Sequence, residues 1–283
     1  MNPLVNAARV GLSRGWIDFR ASLFSAQELF GYLVMPIVFG TITLFIGRTE
    51  VEGGTTVGAV IMVSGINFTV VMLAMATIAQ VIGVEREDGT LLRAKATPHG
   101  MVGYAVGKTY YLLAISVVSL VLIVLPGLLF ADGFALRGLS GTLTLIWVCL
   151  LGLLALAPIG ASIGAVLSNP RTGAGLLMLP AIGLLMISGN FFPLALLPGW
   201  VQGLAQVFPV YWIGLGLRAA LLPESYATLE LAGSWRLPQV AGVLALWAVV
   251  GFAFAQLVLR RMARRESGSR VQAAREKAMK RAY

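Results

Sequence analysis

The stretch V-E-R-E-D-G-T-L-L-R-A-K-A-T-P-H-G-M-V-G, Val84 to Gly103, is a charged island between two long apolar runs. Between residues 85 and 95 it carries Glu85, Arg86, Glu87, Asp88, Arg93 and Lys95, and each charge placed at a bilayer centre costs about 2.5–3.5 kcal/mol. The island therefore belongs in water. Gly89 permits a turn, Thr90 is placed to cap a helix by offering its hydroxyl to a free backbone N–H, and Thr97-Pro98 ends that helix, because the residue before proline is pushed out of α geometry. A helix over Thr90 to Ala96 has about two turns and is too short to persist alone in water. It needs a docking surface. Leu91 and Leu92 are the apolar groups it can present, with Arg93 and Lys95 close by, so the island reads as the point where a membrane protein grips a soluble partner.

Outward from this island the chain is too apolar for a soluble protein. Hydrophobic residues make up 58% and charged residues 12%, against about 25% charged in ordinary globular chains. This predicts an all-α integral membrane protein. The net charge of +9 is concentrated after residue 259, where nine Lys and Arg meet two acids. A basic segment directly after a span is an orientation signal and a contact for anionic headgroups, so nucleic acid is excluded as a partner. Cys149 and His99 are each the sole residue of their type, leaving neither a disulfide nor a Cys/His metal site. The first ten residues lack the apolar core and cleavage site of a signal peptide.

Leu12, Trp16, Phe19 and Leu23 lie on one helical stripe, so residues 1–28 predict an amphipathic helix. It lies either in the cytoplasmic membrane interface or against the chain's own core. Six apolar windows follow, at 29–46, 57–84, 104–131, 142–167, 174–192 and 238–259, each near the length of about 20 residues that spans a bilayer. They give a membrane domain over 29–259, with the island at 84–103 and a basic tail at 260–283. Seventeen of the 21 Lys and Arg fall on the island's side of these spans. The positive-inside rule makes that side cytoplasmic, with both termini inside. The segment 193–237 is too long for a simple turn. Pro198 can open a helix there, with Phe191, Trp200, Tyr211 and Trp212 near the outer headgroups. It reads as a re-entrant or interfacial hairpin before the last span, or as a plain aromatic belt.

Gly103-Tyr-Ala-Val-Gly107-Lys108-Thr109 is one residue short of a phosphate-binding G-x-x-x-x-G-K-[ST] loop and opens a membrane span. It is read as a coincidence, with Lys108 reaching back to headgroups. The windows hold no carboxylate away from their ends, which argues against a proton-coupled secondary exporter. No catalytic, cofactor or metal constellation is present in the sequence. Asn67, Asn190, Phe191, Phe192 and Trp200 are the candidates for a substrate path or outer gate, with interhelical hydrogen bonding the alternative for the two asparagines. Gly160-Ala-Ser-Ile-Gly164 is a small-residue face, for packing within one subunit or between two.

Two stretches also carry a resemblance. V-I-G-V-E-R-E-D-G-T-L-L-R, Val81 to Arg93, resembles the cytoplasmic signature of ABC-2 type permeases, the membrane subunits of bacterial ATP-driven exporters. S-G-N-F-F-P-L-A-L-L-P-G-W-V-Q, Ser188 to Gln202, resembles the outer end of the fifth span in the same family. The resemblance implies a plasma-membrane complex of two permeases, identical or sister chains, with two separate ATPase subunits that carry ATP and Mg. It places the coupling to those subunits at Glu85, Arg86, Glu87, Gly89, Thr90, Leu91, Leu92 and Arg93. A path without intramembrane charge then favours an amphipathic or lipophilic cargo such as a drug, secondary metabolite or lipid, as in the drug-resistance branch. Polysaccharide export by the same fold is the alternative, and the lack of a large external domain disfavours variants that carry cargo across a periplasm.

Overall fold

A computed structural model of the chain describes residues 2–87, 89–166 and 170–265. Eleven helices account for almost all of the described chain: α1 (Pro3–Leu23), α2 (Ala26–Ile46), α3 (Val57–Met72), α4 (Ile78–Glu87), α5 (Thr90–Lys95), α6 (Gly100–Phe130), α7 (Gly138–Val166), α8 (Pro170–Ile187), α9 (Gly199–Val207), α10 (Pro209–Leu221) and α11 (Leu237–Arg265). A two-residue antiparallel pairing of Glu50–Val51 with Thr55–Thr56 closes the turn after α2. Among the described residues, five helical stretches are long and apolar enough to cross a membrane: Ala26–Ile46, Val57–Glu85, Gly100–Phe130, Gly138–Val166 and Leu237–Val258. Each satisfies its backbone internally, as lipid requires, and the all-α membrane architecture holds. The second stretch is α3 and α4 joined by a π-helical turn at Leu73–Thr77.

The expected fifth window is carried by shorter elements. At about 1.5 Å per residue, the 18 residues of α8 reach about 27 Å, a little short of the hydrocarbon thickness of about 30 Å. After α8, helices α9 and α10 follow with an 89° bend between them. The segment in which the sequence pattern announced one helix thus holds two, meeting at a sharp bend. Helix α10 packs against α3, α7 and α11 and is buried along nearly its whole length. This corrects the expected belt: Tyr211 and Trp212 are in the core, whereas Phe191 and Trp200 are exposed, at 43% and 74%.

The α3–α4 strut is the most enclosed span, while α2 and α11 turn large apolar side chains such as Phe45 and Val249 outward. Small residues decide where helices meet. A Cβ on Gly160 would lie 2.5 Å from the Ala74 carbonyl and 2.6 Å from that of Met75, so the Gly160–Gly164 face packs within the subunit. At the end opposite the island, the connections are tied together. Thr56 Oγ1 donates to Asp132 O (2.6 Å), Ser225 Oγ to Gly53 O (2.6 Å) and Ala135 N to Leu221 O (3.2 Å).

Candidate functional site

Helix α4 carries the chain out of the apolar layer, and Gly89, at φ +73°, allows the reversal into α5. The Arg93 N–H donates to Gly89 O at 3.1 Å, which makes Gly89 the N-cap in place of Thr90. The Thr90 hydroxyl instead accepts from Arg93 Nη2 at 3.4 Å. Helix α5 ends at Lys95, one residue before the expected Ala96. Thr97 Oγ1 then donates to Ala94 O at 3.0 Å, and His99, at φ +54°, turns the chain into α6. The side chains of Arg86, Glu87, Leu91 and Leu92 lie outside the described residues, as does Asp88.

Glu85 is committed inside the chain. Its Oε1 is 2.6 Å from Lys108 Nζ, and its Oε2 accepts from the Tyr104 hydroxyl at 2.5 Å. Lys108 is also 3.2 Å from Asp18 Oδ2 and lies over the Tyr111 ring, 5.4 Å from its centroid. One cluster thus joins α1, α4 and α6, and Lys108 does not reach for headgroups as expected. The near-miss phosphate loop is the first turns of α6, and its glycines serve a helix contact. A Cβ on Gly107 would lie 2.6 Å from Gly11 O, and one on Gly103 2.8 Å from Ala7 O. Gly11-x-x-x-Gly15 of α1 and Gly103-x-x-x-Gly107 of α6 therefore meet backbone to backbone. The contact leaves Leu12 and Trp16 of the apolar stripe exposed.

The second polar centre lies about 15 Å along α3 from its first residue. Asn67 Nδ2 donates to Asn190 Oδ1 at 3.0 Å and to Val210 O at 3.3 Å, and Asn190 Nδ2 donates to Ser64 O at 3.2 Å. The Ser64 hydroxyl donates to Asn190 O. Both asparagines are fully buried. Gly214 leaves room for them, since a Cβ there would lie 2.8 Å from Asn67 Nδ2. The five candidate path residues therefore do not share one lining. Asn67 and Asn190 pin the end of α8 to α3, Phe191 and Phe192 follow directly, and Trp200 stands apart on the exposed side of α9.

Sequence reasoning missed a buried ion pair beside this centre. Arg218 Nε donates to Glu230 Oε1 at 2.5 Å and Nη2 to Oε2 at 3.3 Å, while Nη1 donates to Gly189 O at 3.2 Å. The two side chains are 5% and 7% exposed. The available signal was that Arg218 is the sole charge in the apolar run Pro209–Leu222. Nearby, Arg236 donates to Gln206 Oε1 (3.1 Å) and to the Tyr211 hydroxyl (2.5 Å), closing α11 onto the hairpin.

Five long apolar spans, a pair of helices bent by 89° and the short helix α5 between the second and third spans define a multi-pass α-helical membrane protein. The family model described as ABC-2 type transporter matches residues 8–222, about three quarters of the chain. The chain belongs to that family: it is a membrane transport component of an ABC transporter, a class that works with an ATPase subunit. No curated protein matches it.

Proposed function

We propose that this chain is the permease subunit of an ATP-driven exporter, in which two permeases, identical or sister chains, are served by two separate ATPase subunits that bind ATP and Mg. The cargo is an amphipathic or lipophilic molecule. The island end faces the cytoplasm of a bacterial cell and both termini are inside. The observation that carries this reading is that α5, set off by Gly89 and His99, packs on α4 and α6, the two helices that the Glu85–Lys108–Asp18 cluster ties to α1. A partner pressing on α5 meets α4 and α6 at once, and through the cluster it meets α1.

Glu87 is the residue to test. A change on a solvated turn costs under about 0.5 kcal/mol, whereas loss of a paired charge at a desolvated interface costs about 2–5 kcal/mol of binding. Glu87→Lys should insert at normal levels, yet fail to co-purify with the ATPase subunit that the wild type retains or to support cargo-stimulated ATP hydrolysis. Normal association and stimulation would place the coupling elsewhere. Glu85→Lys breaks a pair inside the chain and so reports stability first.

A further inference from the structure

A cavity of about 480 Å³ lies between α2, the α3–α4 strut and α6, within the range of about 300–1,000 Å³ usual for small-molecule sites. Its lining is graded. At the island end it is walled by Glu28, Gln80 and Glu85, and towards mid-span by Met35, Phe68 and Met72. An adjoining hollow of about 360 Å³ shares Glu28 and Glu85 and adds Arg14, Asp18 and Lys108. The charges there are unequal. Lys108 is held by Glu85 and Asp18, and among the described residues Arg14 is the only other cation in either lining.

Glu28 is the unspent carboxylate. Ser25-x-x-Glu28 has the spacing of a capping box, but Ser25 makes no side-chain cap bond, and its N–H donates to Ser22 O. The Glu28 carboxylate turns instead to the buried Tyr32, accepting from its hydroxyl at 3.3 Å. Among the described residues no cation lies within ion-pair distance of it. A carboxylate beside a tyrosine ring, at the wet end of an apolar slot, matches a cation that carries an apolar body. An anionic headgroup would be repelled. We propose that this cavity binds an amphipathic organic cation taken from the membrane leaflet at the island end, with its charge at Glu28 and Tyr32 and its apolar part against Met35, Phe68 and Met72. This deepens the exporter reading by naming a class of cargo, and it rests on that reading only for the word cargo.

The test is equilibrium binding of tritiated tetraphenylphosphonium to the full chain in phosphatidylcholine nanodiscs, with empty discs subtracted and neutral triphenylphosphine oxide as comparator. The wild type should bind the cation saturably. Glu28→Gln should raise its Kd about tenfold, or about 1.4 kcal/mol, and leave the neutral probe unchanged. Met72→Trp, which fills the slot, should weaken both. Protection of the buried Cys149 from a thiol reagent checks that each variant is folded. Competition from added phosphatidylethanolamine would identify a lipid amine as an occupant, and no competition would identify free amphiphiles. An unchanged cation Kd in a folded Glu28→Gln protein, or no saturable binding by the wild type, overturns the proposal. Because no ATPase is present, that failure leaves association with the ATPase, and the exporter reading, to be judged on the Glu87 experiment alone.

Discussion

Replacing Glu230 by Gln tests whether the Arg218 pair holds the bent α9–α10 hairpin in place. Arg218 is 4% exposed, and with Gln at 230 its guanidinium faces only neutral acceptors, the amide oxygen and Gly189 O, with no charge to balance its own. Removing one partner of a buried pair costs about 3–5 kcal/mol, because the other charge is stranded away from water. The apolar double replacement Arg218→Met/Glu230→Leu removes both charges and should come within about 1 kcal/mol of the wild type or exceed it. The lone cysteine supplies the assay. Cys149, 3% exposed, lies on α7 between two contacts with α10, where Val148 meets Gly216 and Ile213 meets Gly152. A thiol reagent reaches it only when those helices part. When opening and closing are fast, the labelling rate follows the open population, so Glu230→Gln should label faster by about two to three and a half powers of ten. The double variant should label near the wild-type rate. Equal labelling of wild type and Glu230→Gln, or a double variant as labile as the single one, would show that the pair does not hold the hairpin.

With Cys149 replaced by Ala, an impermeant maleimide on intact cells should label Arg137→Cys and spare Arg93→Cys; the reverse pattern would invert the proposed orientation. Gly107→Leu drives a side chain into the Gly11 backbone, where overpacking costs about 1–3 kcal/mol, so trypsin should cleave α1 at Arg9 or Arg14 faster, whereas Gly183→Ala, with open space around it, should change nothing. Burial raises the Tyr226 pKa above its usual 10, with Arg218 opposing and Glu230 reinforcing. The folded state therefore holds the Tyr226 proton more tightly than the unfolded one, and its stabilisation is present below pH 10 and lost as pH rises beyond it. Tyr226→Phe should flatten that alkaline loss in a thermal-unfolding series.

The spans were legible because hydrophobic length is a one-dimensional property. Windows at 57–84 and 104–131 became Val57–Glu85 and Gly100–Phe130 with shifts of a few residues. The break in α3–α4 was not legible, since Leu73–Thr77 is as apolar as its flanks and the π turn makes its close contact with Gly160 on a distant helix. Thr90 looked like a cap because its hydroxyl can serve as one, yet Gly89 already provides the turn geometry. Tyr211 and Trp212 looked interfacial because aromatic rings with polar edges favour that level, but Arg236, supplied by a segment 25 residues further on, satisfies the Tyr211 hydroxyl in the core. Glu85 read as a surface charge because its partners, Tyr104 and Lys108, lie on the far side of the island. Apart from Thr90, where the adjacent Gly89 decides, these failures share one origin: the deciding contact is made by a residue that no local pattern connects to the first.

In lipid the apolar side chains that define the spans do little to choose neighbours, because acyl chains are as apolar as leucine. The choice of neighbours falls to close backbone approach and to a few polar pairs. Both kinds gather along the α3–α4 strut and at its ends. Ser64 and Asn67 receive the end of α8, Ala74 and Met75 receive Gly160 of α7, and Glu85 receives α6 and, through Lys108, α1. Asn67 and Glu85 are 18 residues apart, about 27 Å of helix, nearly the thickness of the hydrocarbon layer. One polar anchor therefore sits inside the span and the other at its island end, with small-residue contacts between them. A sequence with the same hydropathy profile but without those residues would still insert its spans, and it would lack the contacts that select this arrangement of them.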